Sequence, residues 1–418
     1  MRKFWLVSVS MGYGHQRTAF PLSRFALRWV QANEYPEIPQ RDKIIWKRAK
    51  DFYESLSRLK NVKFFGPILF SFLDFFQKIP PFYPKKDWTK PNFMLKQNYS
   101  LIKRGWGRDL IERLKRENPF VPFVSTFFTP AFMAEVFNYP GPIFCIVCDA
   151  DIARTWAPLD PLKSKIKYFV PTERVAERLQ LYGVKRENIF FTGFPLPLDN
   201  AKGAPENLKM RILNLDPKGK FLKKYKDLVE KKIGKLPKIS SRPLTILFSI
   251  GGAGAQKEIA LEAFRQLQKE IQTQEIRFIV SVGTREDLKR FFEKKIEKKP
   301  LGFSLLFGST IKEYFEKFNN ALKTIDILWT KPSELSFYSA LGIPILIAPP
   351  IGSQEEFNLR WLQNSGYGIL QRDVRYFRDW FFDWLNEGYF AEMAFEAFLE
   401  GERFGTEKIR KILLQYAI

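Results

Sequence analysis

Histidine is the scarcest functional side chain in this sequence, present once in 418 residues, at His15. Cysteine is nearly as rare, limited to Cys145 and Cys148. These two shortages exclude a disulfide framework and the clustered Cys and His ligands of a structural zinc site, so no metal site is expected. The cysteines lie three apart on the strand-like run Ile143–Cys148. Their side chains would therefore point to opposite faces, as buried reduced thiols. A long apolar run is also missing: the longest, Phe64 to Phe76, is broken by Gly66, Pro67 and Asp74, well short of the ~20 residues that cross a bilayer. The N-terminal apolar run passes directly into a glycine turn without a small-residue cleavage site, and a cytoplasmic protein is expected.

Acidic residues are outnumbered, 45 against 68 basic, giving a net charge of +23. Such an excess points to an anionic partner: nucleic acid, a phospholipid surface or a nucleotide phosphate. No RNA-recognition octapeptide, helix-turn-helix signature or zinc-finger spacing occurs, so no specific nucleic acid is expected. Aromatic residues are abundant instead, 16% of the chain with 42 Phe. Many are interleaved with Lys, Pro and Arg between about 46 and 95. Phe64, Phe65, Phe72, Phe75 and Phe76 are the candidates there for contact with an anionic membrane surface. The competing reading is a helical core that covers the first sheet.

Strand-like and helix-like segments alternate, beginning at Phe4-Trp5-Leu6-Val7-Ser8-Val9 and restarting at Leu244–Ile250. Each start runs into a glycine turn and a helix. This pattern predicts an α/β protein of two doubly wound, Rossmann-like domains facing a cleft. The expected division is an N-terminal domain over 1–200 with an aromatic and basic elaboration at about 34–108, a lysine-rich linker over 201–242, a C-terminal domain over 243–400, and a C-terminal helix over 401–418 that packs back on the first domain.

Each glycine turn suggests chemistry. In Met11-Gly12-Tyr13-Gly14-His15, Gly12 and Gly14 would expose backbone N–H groups at a helix N-terminus, and His15 would face the same space. Imidazole, with an ordinary pKa of about 6.5, suits the role of a base; a surface or capping histidine is the plainer alternative. The second turn, Gly251, Gly252, Ala253, Gly254 and Ala255, is a candidate diphosphate cradle. Lys331, Ser333 and Glu334 follow one later strand, and Gln354 and Glu355 another, where they could orient ribose and sugar hydroxyls or simply cap helices.

These motifs, in order from residue 10 to about 370 and including Tyr168-Phe169-Val170-Pro171-Thr172-Glu173 and Gly193-Phe194-Pro195, resemble family 28-like glycosyltransferases. The likeness is to monogalactosyldiacylglycerol synthases and processive diacylglycerol glucosyltransferases, and it extends to the N-acetylglucosaminyltransferase of peptidoglycan lipid synthesis. It implies a glycosyltransferase-B fold, with an acceptor-binding N-terminal domain and a UDP-sugar-binding C-terminal domain. It also implies His15 as base, the Gly251 turn at the donor phosphates, a uracil pocket at Ser281-Val282-Gly283-Thr284, Glu334, Gln354 and Glu355 on ribose or sugar, and no cofactor beyond the UDP-sugar co-substrate. The lipid galactosyltransferases carry a second histidine between an Asp and a Trp. Here that stretch runs from Asp149 through Asp151 to Trp156 without one. Asp149 or Asp151 is therefore expected to orient His15 or replace it, and Trp156 to stand on the acceptor side. The function implied is a peripheral membrane glycosyltransferase at the inner face of the cell membrane, moving a hexose or N-acetylhexosamine to a lipid-linked hydroxyl. The rivals are a UDP-sugar 2-epimerase and a basic, non-catalytic or nucleic-acid-binding protein.

Overall fold

In the computed structural model the described residues are 4–59, 79–251, 254, 256–350 and 353–416. Phe64, Phe65, Phe72, Phe75 and Phe76 of the expected membrane surface lie outside them, as do Gly252, Ala253 and Ala255 of the second glycine turn. The chain forms two units: Met1–Leu196 with Ile351–Phe357 and Phe404–Ile418, and Pro197–Pro350 with Asn358–Arg403. Each is built on one parallel sheet.

The first sheet has the order β2-β1-β3-β4-β5-β6. Its strands are β1 (Trp5–Ser8), β2 (Arg28–Gln31), β3 (Phe123–Ser125), β4 (Ile143–Ile146), β5 (Lys167–Val170) and β6 (Ile189–Phe191). The central ones are buried on both faces, as expected where helices cover a parallel sheet, and this explains why they read as unbroken apolar runs. One face packs Phe4, Leu6, Val124, Phe144, Ile146 and Phe169 against Ala19 and Leu22 of the helix Tyr13–Ser23. The Phe144 and Phe169 rings stack there at 4.9 Å.

The C-terminal helix Gly405–Gln415 completes this core with Ile409 and Leu413. It is held at its start by Thr406, whose hydroxyl donates to the Leu196 carbonyl at 2.6 Å. Gly405 sits so close to the chain that a Cβ there would overlap the Phe194 carbonyl.

The second sheet has the order β12-β11-β10-β7-β8-β9. Its strands are β7 (Leu244–Ser249), β8 (Ile276–Gly283), β9 (Phe303–Phe307), β10 (Ile327–Thr330), β11 (Ile345–Ile347) and β12 (Gly368–Leu370). The segment expected to be a linker, 201–242, is instead mostly two helices of this unit, Leu198–Leu215 and Lys220–Ile233. Leu208, Ile212 and Leu215 recur at helical spacing and are buried. Arg211, between them and 1% exposed, does not face water at all. Its guanidinium donates to the carbonyls of Leu322, Ile325, Leu341 and Gly342 at 2.8–3.1 Å. The lysines on the outer turns conceal this seam in the sequence.

The close approach at Gly405 gives a direct test of how the last helix is held. Gly405→Ala must displace backbone to fit a methyl group, and should lower stability by about 1–3 kcal/mol, read as a reduced urea midpoint.

Candidate functional site

The strand order of the first sheet reverses beside β1, whose neighbours are β2 and β3. Connections leaving β1 and β3 therefore diverge, and the space between their C-terminal ends is open to a ligand. Gly12, at φ +86°, turns the chain out of β1 into the helix Tyr13–Ser23 and brings no side chain to cap it. Gly14 and His15 fall in that helix's first turn. Across the crevice, Thr126 directly follows β3, and its carbonyl lies 2.8 Å from His15 Nδ1. A carbonyl can only accept, so Nδ1 carries the proton and Nε2 keeps its lone pair.

The imidazole is half-buried and flanked by Phe127 at 4.7 Å and Trp156 at 6.4 Å between ring centroids. Burial lowers its pKa to about 4, against a smaller opposing effect of the Thr126 bond. The ring is thus neutral at neutral pH. The Thr126 hydroxyl, also buried, has no hydrogen-bond partner among the described residues.

The aspartates behave differently from expectation. The partner that orients His15 is the Thr126 carbonyl, and Asp151 is turned to a different partner. Asp151 is buried and accepts two hydrogen bonds from Arg178, Nε and Nη2, each at 2.8 Å, as well as one from the Ile152 amide. That carboxylate is committed to an interior cation. Asp149 is half-buried at the end of the loop from β4, 4.0 Å from the Cys148 sulfur. Both cysteines are free and buried, as expected; Cys145 lies within β4, and Cys148, just past it, has its sulfur 3.6 Å from His15 Nδ1. Trp156 is 2% exposed, packs on Phe127 and Phe128, and cannot touch a membrane surface.

The second sheet repeats the topology. Its order reverses beside β7, between β8 and β10. Gly251 and Gly254, at φ +71° and +70°, shape the turn after β7, and the Gly254 amide donates to the Gly251 carbonyl at 3.3 Å. Lys331 follows β10, and its side chain lies against Gly251: a Cβ there would come within 3.3 Å of Lys331 Cε. The two motifs, 80 positions apart in sequence, are therefore neighbours. Ser333 precedes the 3₁₀ turn Glu334–Leu341 without capping it through its side chain, and Glu334 opens that turn, half-buried. Gln354 and Glu355 lie half-buried in the first turn of the helix Ser353–Asn364 after β11. Two buried amides tie the loops together, one of them, Gln256, without a signal in the sequence. Gln256 Nε2 donates to the Pro349 carbonyl at 2.9 Å, and Asn358 Nδ2 to the Pro332 carbonyl at 3.4 Å. In the expected uracil pocket, Ser281 points inward, its hydroxyl 3.0 Å from the Tyr314 hydroxyl, so its side chain is used by the core.

Comparison with known proteins agrees with this architecture. Residues 236–324 match a domain of unknown function, DUF6938. A processive diacylglycerol β-glucosyltransferase of Bacillus pumilus (strain SAFR-032) is 21% identical over 280 residues, 66% of this chain and 63% of that protein. Its counterpart in Bacillus subtilis (strain 168) is 23% identical over 236 residues, 55% of this chain and 50% of that protein. The chain thus spans between half and two thirds of the length of these curated relatives. An S. aureus MnaA–UDP co-structure aligns over 100% of this chain and 97% of its own, with 13% identity and a TM-score of 0.52. The fold is of the glycosyltransferase-B type. The sequence likeness to diacylglycerol glucosyltransferases is present at low identity.

Two expectations follow from the first crevice. Asp151→Ala would strand the Arg178 guanidinium in the interior, and should cost about 3–5 kcal/mol, seen as a lower thermal midpoint. A catalytic role alone would leave that midpoint in place. For His15 the folded pKa lies below the unfolded value, so its contribution to stability is complete above about pH 6.5 and is lost as pH falls towards about 4. The difference in melting temperature between wild type and His15→Gln should shift against the wild type across that window; a constant difference would contradict a buried neutral ring.

Proposed function

We propose that this chain transfers a hexose or N-acetylhexosamine from a UDP-sugar to the hydroxyl of a lipid acceptor at an anionic membrane surface. The observation that carries the reading is the state of His15: a neutral imidazole with Nδ1 fixed on the Thr126 carbonyl and Nε2 left as acceptor, beside a buried hydroxyl that lacks a partner. Such a ring can take the proton of an attacking hydroxyl. With a pKa of about 4 it is a weak base. Weakness is tolerable because the attacking oxygen becomes strongly acidic as it bonds to the anomeric carbon, so the proton leaves late.

On the donor side, the bond from the anomeric carbon to UDP breaks and negative charge develops on the leaving diphosphate. The left-handed turn at Gly251, the helix Lys257–Gln266 that follows it and the Lys331 ammonium would meet that charge. Glu334, Gln354 and Glu355 are proposed to hold ribose or sugar hydroxyls. The names of the Bacillus relatives support a lipid acceptor, and the net charge of +23 supports an anionic surface. Among the described residues no helix is long and apolar enough to cross a membrane. The same structural likeness that includes a UDP complex supports UDP as the nucleotide.

Titration of the purified protein with UDP, with ADP and GDP as controls, should show selective binding. Failure to bind UDP in folded protein would overturn the donor assignment. Lipid-dependent UDP release should fall about 10²–10⁴-fold in His15→Ala, while UDP affinity stays unchanged. If most of the release survives, His15 is not the base. Epimer formed without any acceptor would select the epimerase instead.

A further inference from the structure

Ser10 and Gln16 stand on either side of the segment that holds the first glycine turn and His15. Both are gripped by side-chain amides from the chain leaving β2. The β1–β2 ladder ends at the pair Ser8 and Gln31, followed by one more bond, from the Ala32 amide to the Ser8 carbonyl at 2.8 Å. The Asn33 side chain then takes over from the backbone. Its Oδ1 accepts from the Ser10 amide at 2.9 Å, and its Nδ2 donates to the Ser10 carbonyl at 3.4 Å. A primary amide offers the same donor and acceptor as a peptide, so one side chain adds a further rung to the ladder.

Gln16 supplies the second grip. It is 3% exposed, adjoins His15 in the helix Tyr13–Ser23, and its Nε2 donates to Gln31 Oε1 at 3.1 Å. Successive residues on a helix project about 100° apart. Since β1 lies between β2 and β3, the two neighbours divide the sheet between them. Gln16 reaches to the β2 side, and His15 reaches to the Thr126 carbonyl after β3. Together these bonds fix the rotation of the helix about its axis, and with it the direction of the imidazole. The turn has no comparable fastening of its own at Gly12, which stands at φ +86° and brings no side chain to cap the helix. Nor does sheet pairing require the two amides, since the ladder already joins β1 to β2 and Trp29 Nε1 donates to the Ser8 hydroxyl at 2.7 Å.

We infer that Gln31 and Asn33 are positioning residues for His15: by holding Gln16 and Ser10 they fix the glycine turn between them, and so keep Nδ1 on the Thr126 carbonyl with Nε2 presented to an acceptor hydroxyl. The kinetic consequence rests on the proposed role of His15 as base; the positioning itself does not.

His15 is the only histidine in the chain, so nitrogen NMR of the isotope-labelled protein reads its two ring nitrogens without overlap and without substrate. At neutral pH the wild type should show Nδ1 as the protonated nitrogen and Nε2 as the unprotonated one. Gln31→Ala/Asn33→Ala should move both signals towards the average of a ring exchanging between tautomers. It should also lower kcat for lipid-dependent UDP release about tenfold to a hundredfold, with KM for the UDP-sugar unchanged. Asn33→Asp, which retains the oxygen that accepts from the Ser10 amide, should keep the wild-type ring signals. If the double variant does not fold, Gln31→Ala and Asn33→Ala separately carry the test, each shifting the signals in the same direction by less. Asn92, whose side chain caps the helix Phe93–Lys103 by accepting from the Leu95 amide at 2.9 Å, serves as control. Asn92→Ala should lower the thermal midpoint and leave the ring signals and kcat in place, which separates positioning from a general loss of stability. The inference is overturned if the alanine variants keep wild-type ring signals, or if Asn92→Ala shifts them as much. A wild type that shows the expected tautomer yet releases no UDP would sink the transfer reading and leave the positioning standing.

Discussion

Both sheets are parallel, and in both the strand order reverses beside the strand that opens the unit. Parallel strands all deliver their outgoing loops to one edge, and only at a reversal do adjacent loops run to opposite faces and leave a gap. The two chemical groupings in this protein occupy those gaps. His15 follows β1 and meets the residue after β3; the Gly251 turn follows β7 and meets the residue after β10. The helices, the buried apolar strands and the packed aromatic rings serve to fix where the reversals fall. A change that disturbed the strand order of either sheet would remove the grouping of that sheet, whereas a change in any one covering helix would not.

Much of this was legible because parallel strands are buried on both faces and so appear as short, continuous apolar runs bounded by glycine. The strand starts, the two glycine turns and His15 announce themselves in this way. Thr126 did not, because its contribution is a backbone carbonyl, and any residue could supply one. Asp151 misled for the opposite reason: an aspartate beside a strand end reads as functional, and only the fold reveals Arg178 beneath it. Trp156, expected on the acceptor side, is an interior residue whose ring lies 6.4 Å from that of His15. The segment 201–242 was misread because its many lysines obscure the apolar positions at helical spacing, while Arg211 spends its charge inside.

The arginines show why net charge is a blunt guide here. Arg154, Arg178 and Arg211 are each at most 5% exposed, and between them they hold carbonyls at loop ends and one carboxylate. A guanidinium has five donors in a plane and keeps its charge when buried, so one side chain can satisfy several carbonyls that helix and strand ends leave unpaired. These cations are structural fasteners. The charge available to an anionic partner is what remains on the surface, and its arrangement around a pocket matters more than the total.

The helix Gly405–Gln415 carries a consequence for biosynthesis. Ile409 and Leu413 belong to the core built on Phe4 and Leu6, so stretches of sequence on either side of the second unit share one interior. During translation the first unit emerges early but keeps an uncovered apolar face until the ribosome has finished the second, which lies between in sequence. Its closure therefore waits for the stretch Gly405–Gln415 to be made. A product truncated before Gly405 would leave this apolar seam open to chaperones and proteases, so quality control would read the integrity of one helix remote in sequence from the sheet it covers.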